Sequence, residues 1–393
     1  MSATQTLGSA SLVALLVAQA VPARAEPAKA TPGQPASEVQ VDDGEAQPPG
    51  ETAPTPPPPA PPPPKKPPTG RFQVGAGYSP DDKFIASASI AQDDLFGTGQ
   101  HLALTARISA REQLFLAGWD APHLDGSALT LHTQMFARQD QLPGFRRSAA
   151  GGSISLSAPL ADHLTGFAGY RLEQVATTYD DPIAARSVPG GATAVSRDGL
   201  IASLYGGLAY STLDQPFLPT RGVAVGAKIQ VADPRWGSEI QMTRADSWAS
   251  VHHALGPFIV HVGGSLSTVS SRDPAGVPLS ERLHLDGASM LRGYAPGSIG
   301  PRDAVTGMSL GGNIEYGAHG ELELPVFPQV GISVVGFLDH AGIYDAGGAG
   351  SSGTSAGFGL IWRSPIGPLR FDWAVPLDGG RPQFLFSFGG ASF

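Results

Sequence analysis

The sequence predicts an antiparallel β-barrel that spans a membrane with about sixteen strands. The clearest sign is a segment near its end in which every second residue is apolar: Leu369, Phe371, Trp373, Val375 and Leu377 alternate with Arg370, Asp372 and Ala374. A period of two is that of a strand with one polar and one apolar face. Bulky residues on the apolar face, and an aromatic residue at the end of the chain, Phe393, favour a transmembrane barrel.

The first residues resemble a signal peptide. The apolar run SLVALLVAQAV, residues 11–21, is too short for a spanning helix. Ala23-Arg24-Ala25 supplies a small-x-small cleavage pattern. Residues 1–25 are therefore predicted to be a signal peptide. No Lys or Arg precedes the run, which leaves a displaced start codon or an uncleaved anchor as alternatives.

Residues 26–70 are predicted to form a disordered, Pro-rich periplasmic linker. They lack apolar periodicity and end in TPPPPAPPPPKKPPTG, so they cannot bury a core. The proline run predicts polyproline II, which rises about 3.1 Å per residue. The segment is either a spacer or a docking site for a partner with an aromatic groove or for the cell wall.

Alternation and turn residues predict that residues 71–393 form the barrel. The predicted strands lie near 71–79, 84–92, 100–110, 111–119, 127–139, 147–158, 162–176, 199–211, 221–231, 236–249, 256–269, 308–322, 329–343, 354–363, 366–377 and 382–393. Each provides the roughly 9–11 residues that a tilted membrane strand needs, and an even number lets one chain close. Some segments, such as 236–249, alternate poorly, so fourteen strands is the alternative.

Strand parity predicts acidic side chains on the inner face of two neighbouring strands. In residues 308–324, Leu310, Ile314, Tyr316, Ala318, Leu322 and Leu324 share the apolar face. The opposite parity holds Asn313, Glu315, His319, Glu321 and Glu323. In the next strand, Asp339 has the parity of Ser333 and not that of Val334. These carboxylates are therefore expected to point into the lumen.

Composition and motifs exclude several other functions. The 34 acidic and 25 basic residues give a formal charge of -9, which argues against a nucleic-acid partner. The chain has no Cys, which is compatible with an envelope protein. His252, His253 and His261 lack metal-ligand spacing on one strand face, and the sequence predicts neither a metal nor a cofactor. GTSAG, residues 353–357, matches the nucleophile-elbow pattern, but we expect a hairpin there and not the strand-turn-helix that an esterase needs.

Several motifs, in a fixed order, resemble one family. They are DLFGTGQ at 94–100, LDQPFLPTRG at 213–222, LRGY at 291–294, ELELP at 321–325, FLDHAG at 337–342 and SPIGPLRFDWAVPL at 364–377. Together they are similar to the C-terminal barrel of the BamA/TamA-type assembly proteins, the bacterial surface antigen family. The resemblance extends over about residues 71–393.

The resemblance implies a particular site in the lumen. The motif Leu291-Arg292-Gly293-Tyr294 lies in the longest connection, between about Ser270 and Gly307. In the family its arginine folds back into the lumen, where it meets acids at the positions of Glu321 and Asp339. Arg suits this role because its planar fork engages a carboxylate through two hydrogen bonds. The alternative is that Arg292 is a solvated loop charge.

The resemblance also implies a location and a function. The expected protein lies in the outer membrane, contacts its lipids and assists the insertion or translocation of proteins, non-enzymatically, by opening between its first and last strands. Phe384, Phe386, Phe388 and Phe393 resemble the C-terminal signal that the outer-membrane assembly machinery reads. That machinery and unfolded client proteins are the expected partners. Family members normally carry folded POTRA domains, for which residues 26–70 are too short, so a passive channel barrel is the alternative. A third alternative, an outer-membrane hydrolase, is supported only by the GTSAG motif.

Overall fold

The computed structural model describes residues 70–181, 197–215, 218–285, 290–365 and 367–388. In it the strands form one closed antiparallel barrel in which each strand pairs with its sequence neighbours and β1 pairs with β16. The sixteen-stranded fold predicted from the sequence is thereby confirmed. The predicted signal peptide, nearly all of the predicted linker and Phe393 lie outside the described residues.

Each strand overlaps a predicted segment, and some strands are longer than predicted while others are shorter. The first half of the barrel consists of β1 (Gly70–Ser79), β2 (Lys83–Leu95), β3 (Gln100–Ile108), β4 (Glu112–Ala121), β5 (Thr130–Leu142), β6 (Phe145–Ala161), β7 (Leu164–Tyr179) and β8 (Gly199–Ser211). The second half consists of β9 (Gly222–Ala232), β10 (Met242–Leu255), β11 (Phe258–Ser270), β12 (Ile314–Phe327), β13 (Ile332–Tyr344), β14 (Gly350–Ser364), β15 (Gly367–Pro376) and β16 (Gln383–Phe388).

The two faces of the barrel differ as the alternation predicts. Large apolar side chains such as Phe72, Met135 and Leu338 are exposed on the outer surface. Charged side chains are buried inside, among them Glu112, Arg147, Glu173, Lys228, Asp246, Glu315, Glu323, Asp339 and Asp372. An apolar exterior with a polar interior is the pattern of a barrel that crosses a bilayer.

In the described parts of the connections, single-turn 3₁₀ helices lie at Leu124–Gly126, Pro234–Trp236, Leu279–Glu281 and Pro328–Val330. Within the described ranges, no helix is long and apolar enough to cross a membrane. The longest connection, residues 271–313, joins β11 to β12. It leaves the barrel at the same rim as the connections from β7 to β8 and from β9 to β10, and we take this long-loop rim to face the cell exterior.

Three predictions about local structure are wrong. The strand predicted at 236–249 is Met242–Leu255, because residues 234–236 form a turn capped by the Asp233 side chain. The strand predicted at 308–322 begins at Ile314, because Gly312 pairs with Leu283 within the long loop. The GTSAG residues form part of β14 instead of a hairpin, and Ser355 is fully buried. A nucleophile elbow is therefore not present at this motif.

The long loop folds into the barrel and carries its own apolar core. Leu285, Leu291, Tyr294 and Ile299 pack against two residues of β13, Ala341 and Ile343. Other loop residues pack on the far wall: Val277 and Leu283 lie in a cluster with Val175, Ile201 and Ala232. Burial of these side chains places the LRGY motif within the lumen.

Candidate functional site in the barrel lumen

Gly293 allows the chain to turn so that its neighbours point in different directions. Its φ of 89° lies in the left-handed region, and a Cβ there would lie 3.2 Å from Cδ of Pro376 and 3.3 Å from Cβ of Ala374. Leu291 is fully buried in the apolar core of the loop. The sequence Leu-Arg-Gly-Tyr thus combines an apolar anchor, a charged side chain and the one residue type that tolerates this turn.

Arg292 is buried and engages three carboxylates. Its Nε lies 2.7 Å from Oδ2 of Asp339, and its Nη2 lies 2.7 Å from Oδ1 of the same residue. Its Nη1 lies 2.7 Å from Oε1 of Glu321 and 3.2 Å from Oδ2 of Asp372. The bidentate contact to Asp339 uses the planar fork that Lys lacks. These carboxylates hold the pKa of Arg292 above its ordinary value despite burial.

Two partners in this cluster were missed by the sequence analysis. Asp372 approaches Arg292, and Arg370 forms an ion pair with Glu321 at 2.7 Å and with Asp372 at 2.8 Å. The sequence does contain a pattern that indicates them, because the alternation in β15 places Arg370 and Asp372 on the face opposite its apolar residues. What local sequence could not provide was the position of β15 relative to the loop.

The remaining motif residue, Tyr294, ties the loop to two further segments. Its hydroxyl lies 2.5 Å from Oδ1 of Asp378 and 2.9 Å from the carbonyl oxygen of Thr354. Burial, with the nearby Asp378 carboxylate, raises the pKa of Tyr294 to about 12. The phenol therefore stays protonated at physiological pH and acts as a hydrogen-bond donor.

A second ion pair holds the loop on a different wall. Glu281, in the turn Leu279–Glu281, accepts hydrogen bonds from Nε and Nη2 of Arg147 at 3.1 and 2.9 Å. Arg147 lies on β6 and also approaches Glu173 on β7 at 3.7 Å. Nothing in the local sequence predicts this contact, because its partners are 134 positions apart.

Two of the histidines that lack metal-ligand spacing in the sequence also meet in the lumen. His252 and His261 are directly paired neighbours on β10 and β11, with their Nδ1 atoms 2.7 Å apart. His261 Nε2 lies 3.3 Å from Oε2 of Glu323. Their equal distance from the Gly256-Pro257 turn could have revealed the pairing. Among the described residues, no group of three or more His, Cys, Asp or Glu side chains is arranged to hold a metal ion.

Another hydrogen-bonded chain joins three wall strands. Ser157 Oγ lies 2.7 Å from His132 Nε2, and His132 Nδ1 lies 2.7 Å from Oδ1 of Asp120. Because a carboxylate only accepts, Nδ1 donates to Asp120, and in the neutral ring Nε2 then accepts from Ser157. Ser157 and His132 are both buried against the wall, and we interpret the chain as a structural link between β4, β5 and β6.

The C-terminal aromatic residues lie on the outer surface at the end of the sheet. Phe386 packs against Phe371 with ring centroids 4.9 Å apart, and Phe384 lies beside Trp373. Phe388 is paired with Ala76 where β16 meets β1. These positions are accessible from the lipid side, and a role as an assembly signal stays a prediction.

Comparison with known proteins places this architecture in a family. Residues 94–391 match the family profile described as the Omp85 superfamily domain. The chain belongs to the Omp85 superfamily. This confirms the resemblance stated from the sequence motifs, and together with the apolar exterior it places the barrel in the outer membrane.

Individual Omp85 relatives agree with the assignment. The outer membrane protein assembly factor BamA of Nitratidesulfovibrio vulgaris is 27% identical over 341 residues, which are 82% of this chain and 42% of that protein. The BamA of Neisseria meningitidis is 24% identical over 361 residues, which are 79% of this chain and 45% of that protein. The chain thus spans less than half the length of these relatives.

Solved structures show the same fold. BamA from Haemophilus ducreyi lacking POTRA domains 1–3 superimposes with a TM-score of 0.68 at 22% identity, covering 81% of this chain and 69% of that one. CdiB from Acinetobacter baumannii gives a TM-score of 0.58 at 10% identity, covering 81% of this chain and 59% of that one. At these identities the likeness concerns the barrel architecture.

Proposed function

We propose that this Omp85 barrel assists the insertion or translocation of proteins at the outer membrane by opening between β1 and β16. The observation that carries the proposal is the pairing at this seam. Among the described residues, which end at Phe388, β1 and β16 are paired at three positions: Ala76 with Phe388, Gly77 with Ser387 and Tyr78 with Phe386. By comparison, β1 pairs with β2 at ten positions and β15 pairs with β16 at six.

Separating two strands of a closed sheet requires the least free energy where the fewest residues are paired. Each paired position contributes backbone hydrogen bonds worth about 0.5–1.5 kcal/mol net in water, and more where no water competes. Parting three pairs therefore costs less than parting any other ladder described here. An opened seam presents two strand edges with free N–H and C=O groups, which can pair with an incoming strand.

The relatives support the kind of partner. Two of them are named outer membrane protein assembly factors, so unfolded barrel proteins are the proposed clients and the outer-membrane assembly machinery is the proposed partner. Strand addition at an edge is a pairing reaction and requires neither catalysis nor a cofactor. In this proposal the loop cluster around Arg292 stabilises the barrel wall beside the seam.

A disulfide across the seam tests the proposal. Gly77 and Ser387 are directly paired, and the chain has no Cys of its own. A Cβ at Gly77 would lie 3.1 Å from the Phe386 carbonyl oxygen, so a small shift accommodates Gly77→Cys with Ser387→Cys. We expect the oxidised variant to deplete barrel proteins from the outer-membrane proteome, as loss of the protein would, and reductant to reverse the effect.

The matched control is a disulfide within a ladder that stays closed. Gly75→Cys with Ser87→Cys joins β1 to β2 at a paired position and should leave the proteome unchanged. If the oxidised seam variant supports normal outer-membrane protein levels while depletion does not, lateral opening is wrong. If depletion itself leaves the proteome unchanged, the barrel is a passive channel and the assembly function is wrong.

A further inference from the structure

The outward face of four neighbouring strands, β4 to β7, changes from apolar to polar near the extracellular rim. Directly paired residues stand side by side across the sheet, so the outward residues of these strands form rows. The two rows nearest the rim contain six polar residues: Gln113, Gln139 and Ser148 in one row, and Gln141, Arg146 and Thr178 in the other. We name these six residues the outer polar band.

The outer polar band lies directly above the lipid-facing surface. On β4 to β6 the next two rows towards the periplasm are apolar: Phe115, Ala137 and Ala150, then Ala117, Met135 and Gly152. On β7 the polar surface continues one row further, to Gln174. Successive rows are two residues apart, which is about 5 Å of height in a strand tilted by about 40°. Two rows therefore fit within the headgroup layer, which is roughly 5–8 Å thick.

The neighbouring strands meet the membrane surface differently. The outward residues of β1, β2 and β3 nearest this rim are Tyr78, Phe84 and Ile108, and Phe84 is 80% exposed. Aromatic rings are the usual anchors of a barrel at a membrane interface. On β4 to β6, side-chain amides and a guanidinium occupy this level instead. This part of the wall can therefore form hydrogen bonds with lipid headgroups that an aromatic anchor cannot form.

Arg146 is the charged residue of the outer polar band. The outward positions of β4 to β7 carry this one charge and no carboxylate. Its Nε donates to Oε1 of Gln141 at 3.1 Å, and Nε2 of Gln141 donates to the carboxylate of Asp180 at 3.2 and 3.3 Å. Within the described part of the chain, Arg146 forms no ion pair with Asp180, and its Nη1 and Nη2 have no hydrogen-bond partner. Both Nη groups can therefore donate to a ligand.

The side chains of the band suit a sugar that carries phosphate. Gln113 and Gln139 are exposed and directly paired on β4 and β5. A side-chain amide offers N–H donors and an acceptor oxygen, so two neighbouring amides can bind hydroxyl groups, which both donate and accept. The planar guanidinium of Arg146 matches a phosphate through two parallel hydrogen bonds.

We propose that the outer polar band binds the headgroup of a phosphorylated glycolipid of the outer leaflet, with Arg146 on a phosphate and Gln113 and Gln139 on sugar hydroxyl groups. The alkyl chains of the lipid then lie along the apolar rows that contain Phe115 and Met135, which are 50% and 68% exposed. Binding fixes the height of the barrel in the membrane on the side of β4 to β7. This site does not depend on the protein-assembly function proposed above.

Binding of purified lipopolysaccharide tests the proposal. Lipopolysaccharide without O-antigen, labelled with a fluorophore, is titrated into purified protein in detergent. Arg146→Ala should weaken binding about tenfold, the factor expected for loss of charge-assisted hydrogen bonds, and Arg146→Glu should weaken it further. Gln113→Ala combined with Gln139→Ala should also weaken binding. The matched control is Arg235→Ala, which removes an extracellular cation that is 81% exposed between β9 and β10 and should bind like the wild type.

Removal of the lipid phosphates tests the role of Arg146 separately. Dephosphorylated lipopolysaccharide should bind the wild type about tenfold more weakly than the intact lipid. Arg146→Ala should bind both lipids equally, because the partner of the phosphate is already absent. The double glutamine variant should lose affinity for both lipids. Phosphatidylglycerol, which has a phosphate but no such sugar, should compete poorly with lipopolysaccharide.

Three results would overturn the proposal. The first is that the wild type does not bind lipopolysaccharide, or that Arg146→Ala binds it equally well, because another occupant then covers the band. The second is that dephosphorylation weakens binding to the wild type and to Arg146→Ala by the same factor. The third is that phosphatidylglycerol competes as well as lipopolysaccharide, because the band then recognises phosphate alone. The heat-induced gel shift shows that each variant is folded, since all the changed side chains are exposed.

Discussion

At the residue scale, Arg292 replaces the solvent that three carboxylates would otherwise need. Asp339, Glu321 and Asp372 all approach its guanidinium, and its Cζ lies 3.5 Å from the centroid of the Phe337 ring. The aromatic face excludes water on one side and adds a cation–π contact. The arginine thus satisfies several charges that could not be buried close together by themselves.

Replacing Arg292 should therefore weaken the barrel. Arg292→Ala leaves the carboxylates facing one another, and removal of one partner of a buried pair costs about 3–5 kcal/mol. Because a barrel lumen is partly wet, we expect roughly 1–2 kcal/mol, seen as a lower temperature for the heat-induced gel shift. Arg292→Lys keeps the charge but loses the planar fork, so its heat-shift temperature should lie between those of the wild type and Arg292→Ala. Wild-type behaviour of Arg292→Ala in melting and in external proteolysis would show that the side chain stabilises nothing.

His284 gives the docked loop a pH dependence. It is buried, its Nε2 donates to the carbonyl oxygen of Leu279 at 3.3 Å, and its Nδ1 lies 3.2 Å from Ser309 Oγ. Burial lowers the pKa of His284 to about 4, whereas an unfolded histidine titrates near about 6.5. The contribution of the neutral ring is therefore complete above about pH 6.5 and is lost as the pH falls towards 4, by roughly 3 kcal/mol in total.

The measurement is the heat-shift temperature at pH 7.5 and pH 5.0 for the wild type and His284→Gln. The wild type should lose more stability on acidification than the variant, which has no ring to protonate. Glu281 works in the opposite direction, because burial raises its pKa and protonation is then favoured in the docked state. Taking the difference between the two proteins at each pH isolates the histidine. If both proteins lose the same stability between pH 7.5 and pH 5.0, His284 is not the cause of the pH dependence.

At the element scale, the strands followed from local sequence and the loop did not. Alternation is a property of consecutive residues, so it revealed each strand and its inner face, including Glu321 and Asp339. Strand ends depend on competing turns, which is why the residues before Met242 and Ile314 were misassigned. The long loop has no repeating pattern, since its residues are selected by contacts with strands far away in sequence.

The resemblance to a family predicted the contact of Arg292 with acids of the wall, but it did not predict the contact of Glu281 with Arg147. The LRGY motif pointed to acids opposite Arg292, but Glu281 carries no motif and its partner Arg147 belongs to a strand predicted only from its alternation. Arg147 also approaches Glu173 on the neighbouring strand, and this contact becomes visible only when β6 and β7 are placed side by side. Pairing across a closed sheet is thus the information that a single sequence lacks.

At the scale of the whole molecule, closure removes the free edges that make a sheet vulnerable. Fifteen of the ladders join sequence neighbours and one joins β1 to β16, so every strand has a partner on both sides. Because every strand is paired on both sides, the sheet has no free edge. Detergent can therefore cover the apolar outer face in place of lipid while the strands stay paired. Among the described residues, the β1–β16 ladder has the fewest paired positions, and it is where we propose that the barrel opens.

A closed barrel of this kind should be heat-modifiable. The mature protein, loaded on a detergent gel without boiling, should migrate faster than the boiled sample, because the compact barrel resists unfolding by the detergent. Its circular dichroism should be that of β-structure. The oxidised disulfide variant that joins Gly77→Cys to Ser387→Cys should need a higher temperature for the shift than its reduced form, because unfolding that starts at the seam is then blocked. If the oxidised and reduced forms shift at the same temperature, unfolding does not begin at the β1–β16 seam. If the wild-type protein migrates identically before and after boiling and has a helical circular-dichroism spectrum, the barrel fold is excluded.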